Sequence, residues 1–222
     1  MDGVLAPVTS PPPAPVAVAA PAASTPGVRT CTDQWLRDGV QLPDAPSFYS
    51  RITPAGAWGT PTMVGLLQDA GRHMRWAMPS VSPFAVGDLS RPGGGPMSGH
   101  ISHRGGVDAD VGIYKSGGVQ ATRQFLNFAP AELDLPATWE LMRFMLSSGK
   151  VDFILLDRAH IARIKAWTLA QGHLSAAEAE RIFPPEGSRD VWARTGIVRH
   201  AAHHADHLHV RVLCADGTRS GG

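Results

Sequence analysis

The sequence has little cysteine, no excess of either charge and no long apolar run. Two cysteines in 222 residues, Cys31 and Cys214, are too few for a Cys-rich zinc finger or a disulfide-framework fold. Twenty basic and 19 acidic side chains give a formal charge of +1, which lacks the basic excess a dedicated nucleic-acid binder uses to neutralise phosphates. No run of about 18 apolar residues occurs, so no membrane span is expected. An H-E-x-x-H helix, a Walker loop and a G-x-S-x-G elbow are also missing. What the chain does have is histidine: of ten, seven fall in two windows, His100 and His103, then His200, His203, His204, His207 and His209.

Composition divides the chain. Residues 1–28 carry one charge, Asp2, and seven prolines among Ala, Val, Ser and Thr. So few large apolar groups do not offset the entropy of ordering, and a disordered Pro/Ala-rich linker is expected there. The segment has neither the basic start nor the continuous apolar core of a secretory signal. Two readings stay open: the chain is not exported by the usual route, or a signal lies upstream of residue 1. A folded domain is expected over 29–217 and a flexible tail over 218–222.

Local signals within the domain are coarse but readable. Thr60-Pro61 followed by Met63, Leu66, Leu67, Ala70, Met74 and Ala77 predicts a helix over 61–77. A second helix is predicted over 136–148, stopped by Gly149. VDFILL (151–156) has strand length and composition, and Asp157 can cap a helix ending near Gly172. Ser175 and Glu178 have capping-box spacing, so a short helix to Phe183 follows. Alternating segments at 107–114 and 207–213 read as half-buried strands. Single helices mixed with strands and Gly-rich loops, without a βαβ rhythm, predict an α+β fold.

The two histidine windows lie against those strands. In a strand from Val107, alternation puts Val107, Val111 and Ile113 on one face and Asp108 and Asp110 on the other. Gly105-Gly106 lets the chain fold back so that His103 approaches Asp110. In the second strand Leu208, Val210 and Val212 share one face, while His207, His209 and Arg211 share the other. Together the windows offer an N,N,O donor set, for example His103, Asp110 and His209. Two imidazoles and a carboxylate suit zinc, and three protein ligands leave the open position of a catalytic site. A calcium loop starting at Asp108 is excluded, because its sixth and twelfth positions are Ile113 and Val119, where an EF-hand needs Gly and Glu.

The H-x6-D pair (His103, Asp110) with H-x-H (His207, His209) resembles the metallopeptidase superfamily of lysostaphin-type enzymes, D-Ala-D-Ala peptidases and the sonic hedgehog amino-terminal domain. Gly87-Asp88-Leu89-Ser90, Gly94-Gly95, the run Gly99-His100-Ile101-Ser102-His103 with Val107-Asp108-Ala109-Asp110, and His204-Ala205-Asp206-His207-Leu208-His209-Val210-Arg211 narrow this to a resemblance to penicillin-insensitive murein endopeptidases, over about residues 30–215. One departure stands out: Arg104-Gly105-Gly106-Val107-Asp108 replaces the usual Gln-x-Gly-Leu-Asp of that family.

The resemblance implies a small α+β fold with a central antiparallel sheet and a periplasmic or secreted zinc metallopeptidase. Its zinc ligands would be His103, Asp110 and His209. His207 would stabilise the tetrahedral intermediate or move a proton, and His204 would be a second base or orienting group. The substrate implied is peptidoglycan, cut at cross-links such as the D-alanyl to meso-diaminopimelyl bond. Alternatives on the same scaffold are a D,D-carboxypeptidase or dipeptidase and a non-catalytic zinc or cell-wall binding domain.

The other polar residues have paired readings. Asp108 either accepts a hydrogen bond behind the ligands or binds a substrate amine. Arg211 either meets a substrate carboxylate or lies on the surface. His100 touches substrate, holds a loop or is a surface residue, and His200 and His203 either fix a ligand's tautomer or are solvated. His73, His160 and His173 are structural or solvated. Cys31 and Cys214 either form a bridge, which would tie the domain's ends together in an oxidising compartment, or are two unpaired buried thiols.

Overall fold

The structure is a computed structural model and describes residues 35–183 and 196–214. The linker expected over 1–28 and the tail over 218–222 lie outside the described residues, as does Cys31. Cys214 is disulfide-bonded.

Helices begin where side-chain caps meet apolar periodicity. The first, α1 (Pro61–Ala77), has Thr60 accepting from the Met63 N–H at 3.2 Å and Pro61 in its first turn. α2 (Leu135–Ser147) starts one residue ahead of the prediction, and its cap is Asp134, accepting from the Ala137 N–H at 3.0 Å. Asp157 caps α3 (Arg158–Ala170) and Ser175–Glu178 form the capping box of α4 (Ala176–Ile182). Each cap satisfies an otherwise unpaired amide and contributes about 1 kcal/mol.

The strands are β1 (Val40–Gln41), β2 (Tyr49–Arg51), β3 (Trp58–Gly59), β4 (Phe84–Val86), β5 (Asp108–Gly112), β6 (Val151–Leu156), β7 (Val198–His200) and β8 (His207–Val212). β1 and β3 form a separate antiparallel pair; the main sheet has six strands in the order β2-β4-β5-β8-β6-β7. The α+β class therefore holds, but the sheet is neither small nor wholly antiparallel. Its four central strands pair antiparallel, while β2 runs parallel to β4 and β7 parallel to β6. Each parallel edge pair is joined by a crossover, through α1 on one side and through α3 and α4 on the other. A parallel neighbour requires such a return path. The edge strands are three residues long, too short for alternation to reveal them in the sequence.

One face of this sheet enters the core. Ala109 and Val111 of β5, Ile154 and Leu156 of β6, Val198 of β7 and Leu208, Val210 and Val212 of β8 are at most 0% exposed and join one cluster with Met63, Leu66, Leu67, Leu141, Met145, Ile161 and Ile164 of the helices. The opposite face carries Asp108, Asp110, His207, His209 and Arg211. A one-residue slip of β8 would send its three apolar residues to the charged face and its histidines into the core, so burial fixes the register.

Candidate metal centre

The β5–β8 ladder sets Asp110 opposite His209, Asp108 opposite Arg211 and Gly112 opposite His207. His103 arrives from the loop ahead of β5. Gly106 makes that return possible: its φ is +70°, and a Cβ there would lie 2.9 Å from the Gly59 Cα. The His103 Nδ1–H donates to the Leu89 carbonyl at 3.0 Å, which turns Nε2 toward Asp110 and His209.

Three donor atoms then meet almost equidistantly. His103 Nε2 lies 3.2 Å from Asp110 Oδ1 and 3.1 Å from His209 Nδ1, and His209 Nδ1 lies 3.1 Å from Asp110 Oδ1. Ligands about 2.0–2.1 Å from a tetrahedral ion stand about 3.3–3.4 Å apart, so this spacing fits a zinc-sized cation. All three residues are buried. A looser set shares two of them: single donor atoms of His100, His103 and Asp110 lie within 4.8 Å of one another and can hold a metal ion. His100 reaches that set with Nδ1 3.8 Å from Asp110 Oδ2, while its Nε2 is held by Asp88 at 3.0 Å. Asp110 and His103 are common to both sets. The tighter one closes with His209.

The charges behind the donors favour a cation. Asp108 is fully buried, which by itself would raise its pKa; hydrogen bonds from His209 Nε2 at 2.9 Å and from Arg211 Nε and Nη2 at 2.6 and 2.8 Å outweigh that and hold the carboxyl below its usual range. Asp110 is lowered in the same way, burial being overcome by His103 and His209. Burial opposes charge on His209, yet the carboxylates on either side push it up to about 9. A site that stabilises positive charge between two carboxylates suits a divalent ion. Arg211 is half-buried, and its described side-chain bonds go to Asp108. It is bidentate to Asp108 and its guanidinium lies 5.2 Å from the centre of the Phe153 ring.

His207 and His204 lie beside the donors. The His207 Nδ1 bonds to Asp206 Oδ1 at 2.6 Å, and its Nε2 is 3.6 Å from Asp110 Oδ1. The imidazole stacks on Phe125, with centroids 4.8 Å apart and planes 17° apart. Gly87 leaves room for that phenyl ring, since a Cβ there would be 2.7 Å from Phe125 Cζ. The His204 ring is 4.9 Å from His207 and 5.8 Å from His209. Burial lowers its pKa to about 4, against the pull of the Ala202 carbonyl.

Residues 31–137 match the family of penicillin-insensitive murein endopeptidases. No curated protein matches the chain significantly. The family match supports a peptidase, hence a hydrolase, with murein as the substrate class. It takes in His100, His103, Asp108 and Asp110 and stops before His204, His207 and His209, which the fold brings to the same place. No helix among the described residues is long and apolar enough to cross a membrane.

Sequence reasoning gave no role to Phe125, which has no periodic or motif signal, or to Asp206, although it lies within the quoted second window. His160 is fully buried rather than solvated. His73 is bonded to Glu140 at 2.5 Å and stacked on Phe144. His203 is exposed and His200 half-buried, and neither has a described bond to a donor residue.

Proposed function

We propose that the protein is a zinc-dependent murein endopeptidase that hydrolyses peptide cross-links of peptidoglycan, such as the D-alanyl to meso-diaminopimelyl bond. The observation that carries this reading is the near-equilateral set of His103 Nε2, Asp110 Oδ1 and His209 Nδ1, supported by the family match. These three residues would hold the ion, since two imidazoles and one carboxylate form the donor set of a catalytic zinc site. When bound, zinc supplies a water that ionises near neutral pH and a positive charge that polarises the scissile carbonyl.

The chain's own groups handle the protons. Asp206 accepts from the His207 Nδ1–H and fixes the tautomer, leaving Nε2 directed at the donor set. From there His207 Nε2 takes the proton released by the attacking water, and the imidazolium so formed stabilises the developing oxyanion of the tetrahedral intermediate or passes that proton to the leaving amine as the C–N bond breaks. His204, which burial holds uncharged at neutral pH, lies beside it as the second base or orienting group. Asp108, itself held by Arg211, holds the His209 ring from behind and sets which nitrogen faces Asp110. We assign this activity to the unit over 29–217 and place it in the periplasm or outside the cell, in keeping with the disulfide at Cys214.

Digestion of cross-linked sacculi by the purified full chain, followed by mass spectrometry of the muropeptides, tests the proposal. Release of monomeric muropeptides that stops with chelator and resumes with zinc is the expected result. Trimmed termini with cross-links intact would make the protein a carboxypeptidase instead. Wall and metal binding without turnover would make it a binding domain.

A further inference from the structure

The segment between β7 and β8 carries His204 and Asp206, and it is a strained stretch of chain. His203 has φ +63°, the left-handed region that L-residues adopt at a cost and keep only when the surroundings over-determine it. Besides the His204 Nδ1 bond to the Ala202 carbonyl within it, three bonds among the described residues reach this segment from the junction between β6 and α3. The Ala201 N–H donates to the Leu156 carbonyl at 3.1 Å and the Asp157 N–H donates to the His204 carbonyl at 2.8 Å. The third bond is from a side chain: His160 Nε2 lies 2.8 Å from the Ala205 carbonyl and, facing an acceptor, is the protonated nitrogen.

His160 is 0% exposed, and its Nδ1 is buried with no hydrogen-bond partner among the described residues. An unpartnered buried nitrogen is unfavourable, and an apolar side chain beside Phe128, whose ring is 6.0 Å away, would avoid it. The imidazole therefore serves its other nitrogen. The Asp157 N–H and the His160 ring together grip the consecutive carbonyls of His204 and Ala205, those of the two peptides that flank Ala205.

We propose that His160 is a positioning residue for the proposed peptidase reaction: its bond to the Ala205 carbonyl fixes the 201–206 segment and thereby the directions of His204 and of Asp206, which orients His207. The inference rests on the functional reading above for its kinetic consequence and on the bond alone for its structural one. His103, Asp110 and His209 lie outside the segment, so losing the bond leaves metal binding intact and misaligns the proton-handling groups.

The test compares wild type, His160→Leu and His160→Gln, whose amide N–H can reach the same carbonyl. Amide hydrogen exchange by NMR reads the clamp whether or not the protein turns over: the Asp157 and Ala201 amides should exchange faster in H160L and regain protection in H160Q. On cross-linked muropeptides, kcat should fall roughly 10- to 100-fold in H160L with KM and zinc content unchanged, and recover in H160Q. Unchanged exchange and kcat in H160L would overturn the proposal, as would parallel loss of zinc and rate. If H160L does not fold, His160→Asn, whose amide is too short to reach Ala205, takes its place under the same criteria. Wild type that lacks turnover but shows the exchange pattern would refute the peptidase reading and leave the clamp standing.

Discussion

His209 and His204 lie five residues apart with rings 5.8 Å apart, yet different parts of the fold hold them. His209 sits in the middle of β8, fixed by the register with β5, by Asp108 behind it and by the apolar residues that alternate with it. His204 sits in a segment without regular structure, held by bonds from the β6–α3 junction. Donors that must keep about 0.2 Å tolerances for an ion are best placed on rigid elements: Asp110 and His209 lie on strands, and His103, on a loop, is fixed by its bond to the Leu89 carbonyl. Groups that give and take protons need a direction more than a fixed spacing, and a braced loop can supply one. The difference separates His209 from His204, with His207, at the first position of β8, between the two.

The largest expected effect breaks the strand side. His209→Ala should lose bound zinc and leave no measurable hydrolysis, because it removes one of the three proposed ligands and leaves Asp108 and Asp110 buried without their shared partner. Metal analysis of the purified variant beside a sacculus assay checks this, and full activity would refute the ligand assignment. On the loop side, His204→Ala should keep its zinc and lose roughly 100-fold in kcat, the usual contribution of a placed acid or base. Zinc lost in parallel would erase the distinction drawn here.

The smallest effect lies in the helical layer and serves as a control. Glu140 of α2 is partly buried, which opposes its charge, but hydrogen bonds from His73 and Arg143 outweigh this and lower its pKa to about 2. A carboxylate depressed in the folded state contributes stability above its unfolded pKa, and that contribution is lost as pH falls through the folded value. Wild type should therefore exceed Glu140→Gln by on the order of 1 kcal/mol at neutral pH, allowing for solvent screening. Urea unfolding should show the gap narrowing below about pH 4.5 and closing near pH 2, with zinc content and hydrolysis at neutral pH equal throughout. A gap that stayed constant with pH would mean the ion pair contributes nothing.

Much of this architecture is legible without coordinates. Thr60-Pro61, Asp157 and the Ser175–Glu178 spacing mark helix starts because caps are local chemistry. Alternation in 107–114 and 207–213 places Asp108, Asp110, His207 and His209 on one side because side-chain direction in a strand has period two. The edge strands β2 and β7 are not legible, since three residues carry no period and their partners lie across a crossover. Arg211 could not be assigned either. Its strand face is local, but its bond to Asp108 depends on which residue of β5 stands opposite.

The sequence by itself determined which residues are available: two histidine windows, each beside a strand, with apolar residues on the alternate positions that dictate which face is buried. The tertiary structure decided which of them meet. His103 and His209 are separated by 106 positions and touch because β5 and β8 pair in one register. His160 gains its partner because α3 begins beside the returning chain. Local propensity acts over a few residues, whereas the convergence of donors and the bracing of the loop come from long-range pairing that burial of the opposite face enforces.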